Sequence, residues 1–184
     1  MTNLYTSNNS VSESKLIDLN PLSKNDFPLF KKIYTNAELM CYIGNPLSIE
    51  KVQRLFAQAL KQRDKEKPKY IYYVISMKKS GKTVGLIGLL WNQKLTTTIE
   101  IGIIIQKSYQ NQGVAKIAMK MLIHKVFKES SVTKIIGLCH RQNSRVNTMM
   151  LNLGFTTTKT TKDKNKNTKK ILWEITRDIT QTPV

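Results

Sequence analysis

Cysteine is scarce in this sequence: Cys41 and Cys139 lie far apart, and neither belongs to a Cys-x-x-Cys pair. That excludes a disulfide framework and a zinc ribbon. Both residues are expected to be reduced thiols that serve as small apolar fillers. Long hydrophobic runs are absent too, and nothing approaches the roughly 20 apolar residues that a bilayer-crossing helix needs. Residues 1–14 are polar and rich in Ser, Asn and Thr, without the basic start and apolar core of a secretion signal, so a cytoplasmic address is expected. No internal repeat occurs, and no linker divides the chain. Acidic residues are few, 12 against 30 basic ones, which leaves a net charge of +18.

A chain of 184 residues suits one domain. At this size roughly 70% of the unfolded chain's surface can be buried, enough for a core without staples. The expected organisation is a disordered tail over residues 1–14, a single domain over 15–178 and a short tail over 179–184. The positive field attracts anions over roughly 8 Å at physiological salt. A polyphosphate cofactor, an RNA-bound or ribosomal partner, or solubility alone would each account for it.

Residues 15–19 read as a first strand stopped at Asn20-Pro21. Ser23 reads as the N-cap of a helix carrying Phe27, Phe30, Ile33 and Tyr34, with Pro28 held to its first turn. Ser48 caps a second helix, with Val52, Leu55, Phe56 and Ala59 on one stripe. Three β-branched or aromatic runs follow, at residues 70–77, 83–91 and 97–105. A turn at Ser80-Gly81 separates the first two, and the short connections suggest an antiparallel meander. From Gly113 the period changes, and Val114, Ile117, Ala118, Met121 and Leu122 fall on one helical face. A strand at 134–139, a helix at 143–153 closed by Gly154, and strands at 155–159 and 170–176 complete the pattern. Residues 160–169 form a cationic loop between the last two.

The informative segment is 100–115, a β-branched strand that runs through a short polar loop into an amphipathic helix. The first amides of a helix lack intrahelical acceptors and sit at the positive end of its dipole. Gly113 allows a phosphate close to that backbone, Asn111 tolerates positive φ, and Ala115 is small where a helix approaches a ligand. The spacings of a nucleoside-triphosphate loop and of a dinucleotide fingerprint are both missing.

Gln110-Asn111-Gln112-Gly113-Val114-Ala115 resembles the Gln/Arg-x-x-Gly-x-Gly/Ala signature of the GNAT N-acetyltransferases. Asn143, opening a helix that closes in Leu153-Gly154-Phe155, is similar to a second stretch of that family. Residues 83–89 and Glu100-Ile101-Gly102 are similar to its central strands. Tyr42-Ile43-Gly44 fits its ribosomal-protein, RimJ/RimL-like branch. The resemblance spans residues 15–178. It implies an α+β fold: a mostly antiparallel twisted sheet of about seven strands, with a splayed parallel pair in the middle and about four flanking helices. It also implies an acetyl-CoA-dependent N-acetyltransferase. Its diphosphate cradle would be residues 110–115, with Ile103, Ile104 and Ile105 pairing with the pantetheine arm and Asn143 hydrogen-bonding it. No metal is implied.

Acyl transfer from a thioester needs a neutral amine, a stabilised oxyanion and a protonated leaving thiolate. Glu100 is the first candidate base, its pKa raised by the apolar neighbours Ile99, Ile101 and Ile103. His140, just past a strand end, is the second; His124 lies on the lysine-rich helix and is set aside. The acid is where the sequence departs from the family pattern. Relatives often carry a tyrosine where Met150 stands, and a serine where Val146 stands. Ser144 is near but shifted, so the thiolate's proton is left to Ser144, to water or to no particular group. Attack by a primary amine is expected to be direct, with no cysteine near the loop to form an acyl-enzyme. The acceptor would be a protein N-terminus, a lysine or a small-molecule amine, and the protein a monomer or homodimer with possible ribosome or RNA association and no membrane contact. The alternative is a non-catalytic acyl-CoA-binding or RNA-associated module.

Overall fold

In the computed structural model, residues 15–91, 95–162 and 169–177 are described. The expected tails over 1–14 and 179–184 lie outside them, as does the remainder of the cationic loop, residues 163–168. The chain runs β1 (Ile17–Pro21), a 3-10 turn (Lys24–Asp26), α1 (Phe27–Tyr34), α2 (Ala37–Met40), α3 (Ile49–Arg63), β2 (Tyr70–Met77), β3 (Thr83–Trp91) and β4 (Thr98–Ile105). It continues through a second 3-10 turn (Lys107–Tyr109), α4 (Val114–Glu129), β5 (Lys134–His140), α5 (Ser144–Asn152), β6 (Thr156–Lys162) and β7 (Lys169–Thr176). No helix among the described residues is long and apolar enough to cross a membrane.

The seven strands form one sheet in the order β1-β2-β3-β4-β5-β7-β6. Every neighbouring pair is antiparallel except β4 and β5, which sit in the middle and run parallel. The mixed fold and the central parallel pair are as the sequence implied. A parallel pair needs a long crossover, and α4 supplies it.

Side-chain alternation assigns the two faces. On one face Ile75, Ile87, Leu89, Ile99, Ile101 and Ile135 pack with Val114, Ala118, Met119 and Leu122 of α4, and with Met150 near the end of α5. On the other, Val74 and Leu86 pack with Phe30 and Ile33 of α1 and with Val52, Phe56 and Ala59 of α3. Each fully buried aliphatic or aromatic side chain contributes about 1.5–3 kcal/mol. The two helical layers thus clamp the sheet from both sides.

Several boundaries differ from the sequence reading. Pro21 belongs to β1 rather than stopping it, because β1 pairs only with β2 and an edge strand tolerates the missing N–H. Ser23 opens a 3-10 turn, its N–H and hydroxyl both donating to Asp26 at 2.7 and 2.6 Å, and α1 begins only at Phe27. The short helix α2, capped by the Asn36 side chain accepting from the Leu39 N–H, went unforeseen and makes five α-helices rather than four among the described residues. On α4 the buried face also takes Met119, Ile123 and Val126, while Ile117 and Met121 are only partly covered. β6 runs on to Lys162, three residues beyond its expected end. Cys139 is buried, as a filler should be, but Cys41 is exposed.

Candidate active site: a groove at the fork of the parallel strands

β4 and β5 are in register only over three pairs, the last being Glu100 with Ile136. Beyond that point β4 keeps pairing with β3 as far as Ile105, and β5 with β7 as far as His140. The two strands therefore part. A groove of about 1130 Å³ fills the fork and runs onto the sheet face beneath α1 and α2.

One end of the groove is backbone. Ile103, Ile104 and Ile105 line it, and β4 then turns through Lys107–Tyr109 to the start of α4. Asn111 and Gly113 both adopt positive φ, 61° and 77°. Gly113 is the N-cap of α4 in the left-handed region, and the first residues of the helix, whose amides have no intrahelical acceptor, line the groove. A Cβ at Gly113 would meet nothing within 4 Å, so the cradle is open. The Gln110 side chain donates to the Ile105 carbonyl at 2.8 Å and staples the loop to the strand it leaves. Gln110, Asn111, Gly113, Val114 and Ala115 line the groove. Gln112 does not, because its amide turns back to the Ser108 carbonyl at 2.8 Å.

At the root of the fork stands Glu100. Its desolvation raises the carboxyl above the ordinary carboxylate range, with Lys170 pulling the other way. The physical cause differs from the one expected. Ile99 and Ile101 point to the opposite face, and Glu100 shares its own with Leu90 and Ile136, its partners across the sheet. Cys139, also lining the groove, has its thiol pushed up to about 11 by burial and the nearby Glu100 charge. A thiol so held is a poor nucleophile at neutral pH.

The far wall comes from the end of β5 and from α5. His140, Asn143, Ser144, Val146 and Met150 line the groove. His140 Nδ1 accepts from the Gln142 N–H at 3.2 Å, and its ring packs on Tyr42 with centroids 5.3 Å apart. One imidazole nitrogen is thus engaged as an acceptor within the wall itself. The Asn143 side chain caps α5 by accepting from the Val146 N–H at 3.3 Å. Met150 is 2% exposed, and its methyl lies 2.6 Å from where a Gly137 Cβ would stand. It fills space rather than presenting a proton.

Other residues shape the site without a motif to announce them. Asn147 donates to the carbonyls of His140 and Arg141 and accepts from Trp173 Nε1 at 2.9 Å, tying the loop after β5 to α5 and β7. Tyr34, Tyr70 and Tyr72 line the end beneath α1. Only the sheet register brings Tyr70 and Tyr72 into line with Glu100 and Gly102.

Comparison with known proteins agrees with this geometry. Residues 17–156 match the family model described as an acetyltransferase (GNAT) domain. No curated protein sequence matches significantly. Solved structures share the fold. The Vibrio cholerae spermidine N-acetyltransferase in complex with CoA and spermine superposes with a TM-score of 0.77 at 16% identity, over 88% of this chain and 95% of that one. The acetyltransferase from Salmonella typhimurium that modifies the N-terminal serine of ribosomal protein L7/L12 gives 0.78 at 14%, over 90% and 98%. A GNAT-family acetyltransferase from Bacillus anthracis gives 0.73 at 17%, over 87% and 94%. The chain belongs to the GNAT acetyltransferase family, and it is an enzyme of the acyltransferase class.

Proposed function

We propose that the protein transfers an acetyl group from acetyl-CoA to a primary amine by direct attack within the fork. The observation that carries this is the fork itself: an open helix-N-terminal cradle at one end, and a desolvated carboxylate at the other. The amides at the start of α4, with Gln110, Asn111, Gly113, Val114 and Ala115, would hold the diphosphate. The strand edge from Ile103 to Ile105, left without a β5 partner, would pair with the pantetheine arm, and Asn143 would flank it. Acetyl-CoA supplies the acyl group as an activated thioester. Glu100, held above the ordinary carboxylate range, takes the proton of the attacking ammonium directly or through water. As the nitrogen–carbon bond forms and the carbon–sulfur bond breaks, the thiolate must be protonated. Ser144, exposed at the first turn of α5, is the side-chain hydroxyl there, and otherwise solvent serves. His140, its Nδ1 occupied, orients the wall rather than acting as base.

The acceptors named for the related structures, spermidine and a ribosomal-protein N-terminus, are both primary amines, and this supports an amine acceptor here. Calorimetric titration with acetyl-CoA tests the reading. Micromolar binding is expected for the wild type. It should fall at least 100-fold in Gly113→Trp, whose indole would occupy the open cradle. Undiminished binding by that variant, or none by the wild type, would refute the assignment.

A further inference from the structure

The sheet register builds a trough that the acyl-transfer chemistry does not itself require. Two cross-strand rows lie on the face beneath α1 and α2: Tyr70, Leu90 and Glu100 in one, and Tyr72, Gly88 and Gly102 in the next. Two adjacent glycines leave the second row without side chains on β3 and β4. The Tyr72 ring leans into the space over Gly88, where a Cβ would meet its ring carbons at 3.1 Å. Above Gly102 a Cβ would meet nothing within 4 Å, so the floor there is open. Beside α1 the Tyr34 hydroxyl donates to the Tyr72 hydroxyl at 3.3 Å. Two hydroxyls that share one hydrogen bond keep one proton to donate, and Tyr72 lines the groove. Burial, helped by the neighbouring Tyr72, lifts the Tyr34 phenol well above its ordinary range, so Tyr34 keeps its proton and donates it to Tyr72.

The charges along the groove narrow the occupant. Its carboxylates among the described residues are Glu38 and Glu100, and each already has a lysine near it: Glu38 pairs with Lys107, and Glu100 feels Lys170. Lys116 and Arg145 add further positive charge. The second and third ammonium groups of a polyamine would meet no uncompensated carboxylate, and juxtaposed like charges oppose binding.

Resting on the acyl-transfer reading above, we infer that the Gly88–Gly102 trough and the Tyr72 hydroxyl select a compact primary amine with no second charge and an oxygen acceptor a few bonds from its nitrogen. Consecutive rows on one sheet face are roughly 7 Å apart. Tyr72 on β2 and Glu100 on β4 also stand two strands apart, which makes roughly 12 Å between their Cα atoms. With a tyrosine and a glutamate side chain reaching into that gap, a compact amine can set its nitrogen at Glu100 while its carbonyl or hydroxyl oxygen receives the Tyr72 proton. An amine lacking that oxygen would displace water from the donor and leave it unsatisfied, which is how a polar site discriminates against apolar analogues. Tyr72 is therefore a specificity-determining residue.

The test is thiol release from acetyl-CoA with three acceptors: alaninamide, its apolar near-isostere 2-amino-3-methylbutane, and spermidine. The wild type is expected to favour alaninamide over the isostere by about tenfold in kcat/KM, mainly through KM, and over spermidine by more. In Tyr72→Phe, which keeps the ring over Gly88, that preference should collapse to within about twofold. A Gly102→Val variant, whose side chain enters open space, should raise the alaninamide KM about tenfold or more while still binding acetyl-CoA. An unchanged preference in Tyr72→Phe, or spermidine as the better acceptor, overturns the inference and leaves the acyltransferase standing. Thiol release with none of the amines, despite acetyl-CoA binding, refutes direct transfer to an amine, and the inference falls with it.

Discussion

The donor end of the groove is lined from one continuous stretch, β4 through the first turn of α4, with the end of β5, Asn143 and α5 opposite it. The acceptor end is lined by side chains drawn from α1, α2, β2, β3 and β4. The contrast follows from what each end must hold. A diphosphate is bound through amides and a helix dipole, which any sequence with the right turn can offer. An acceptor must be told apart from its analogues, and only particular side chains do that. The donor end can therefore be disabled by a backbone change. The acceptor end is retuned by changing what projects from it.

The largest effect that would separate the two ends is on Glu100. Glu100→Gln is expected to lower kcat by about 100-fold or more, as for loss of a general base, while leaving the acetyl-CoA Kd within a few-fold. Rate profiles and calorimetry on the same preparation check this; equal losses in kcat and Kd would break the division between the ends. The wild-type kcat/KM should rise with pH through the raised Glu100 pKa, and that limb should vanish in the variant. The linkage has the opposite sense for stability. A carboxyl whose folded pKa is raised binds more protons folded than unfolded, so its contribution is present at low pH and lost as pH rises through that window. Relative to wild type, Glu100→Gln should gain thermal stability as pH is raised from 4 to 8, as followed by calorimetric melting.

At the donor end, a Cβ on Gly85 would lie 2.5 Å from the Ile104 carbonyl oxygen and 3.2 Å from the Ile105 Cα. Those contacts are backbone, which cannot swing aside. Gly85→Ala should destabilise the fold by about 1–3 kcal/mol and weaken acetyl-CoA binding by displacing the strand end that feeds the cradle. Chemical denaturation and titration would show both effects. Asn147→Ala, which removes the tie between His140, Arg141 and Trp173, should cost about 1–2 kcal/mol and loosen the far wall. The expected sign is faster amide exchange over residues 140–143. The smallest change is expected from His140→Gln, a less than tenfold fall in kcat/KM with the pH profile unmoved, because Nδ1 is engaged by the Gln142 N–H. A lost ascending limb there would instead make His140 the base.

How much was legible in the sequence differs along the same division. The strand, loop and helix around Gly113 could be read directly, since a period switch and a glycine at a helix start are local signals. The parallel pairing of β4 and β5 came only through the family resemblance, since the strand runs themselves suggested nothing beyond an antiparallel meander. Glu100 was singled out, but its desolvation was credited to Ile99 and Ile101, which alternation sends to the opposite face. Gln112 was grouped with the cradle because spacing alone cannot show a side chain folding back on Ser108. Asn147 and the tyrosine cluster carry no motif at all. Tyr34 and Tyr72 meet across 38 residues of chain.

By itself the sequence determined most of the elements, the short α2 excepted, together with the positive-φ turn at Asn111 and Gly113 and the placement of a carboxylate on β4, because these depend on nearest neighbours and on residues a few positions away. Only the tertiary structure decided where β4 and β5 part, which side chains share a row with Glu100, and that Gly102 faces open space. Those follow from register and from sheet faces, and a shift of one residue would have turned every one of those side chains to the other side.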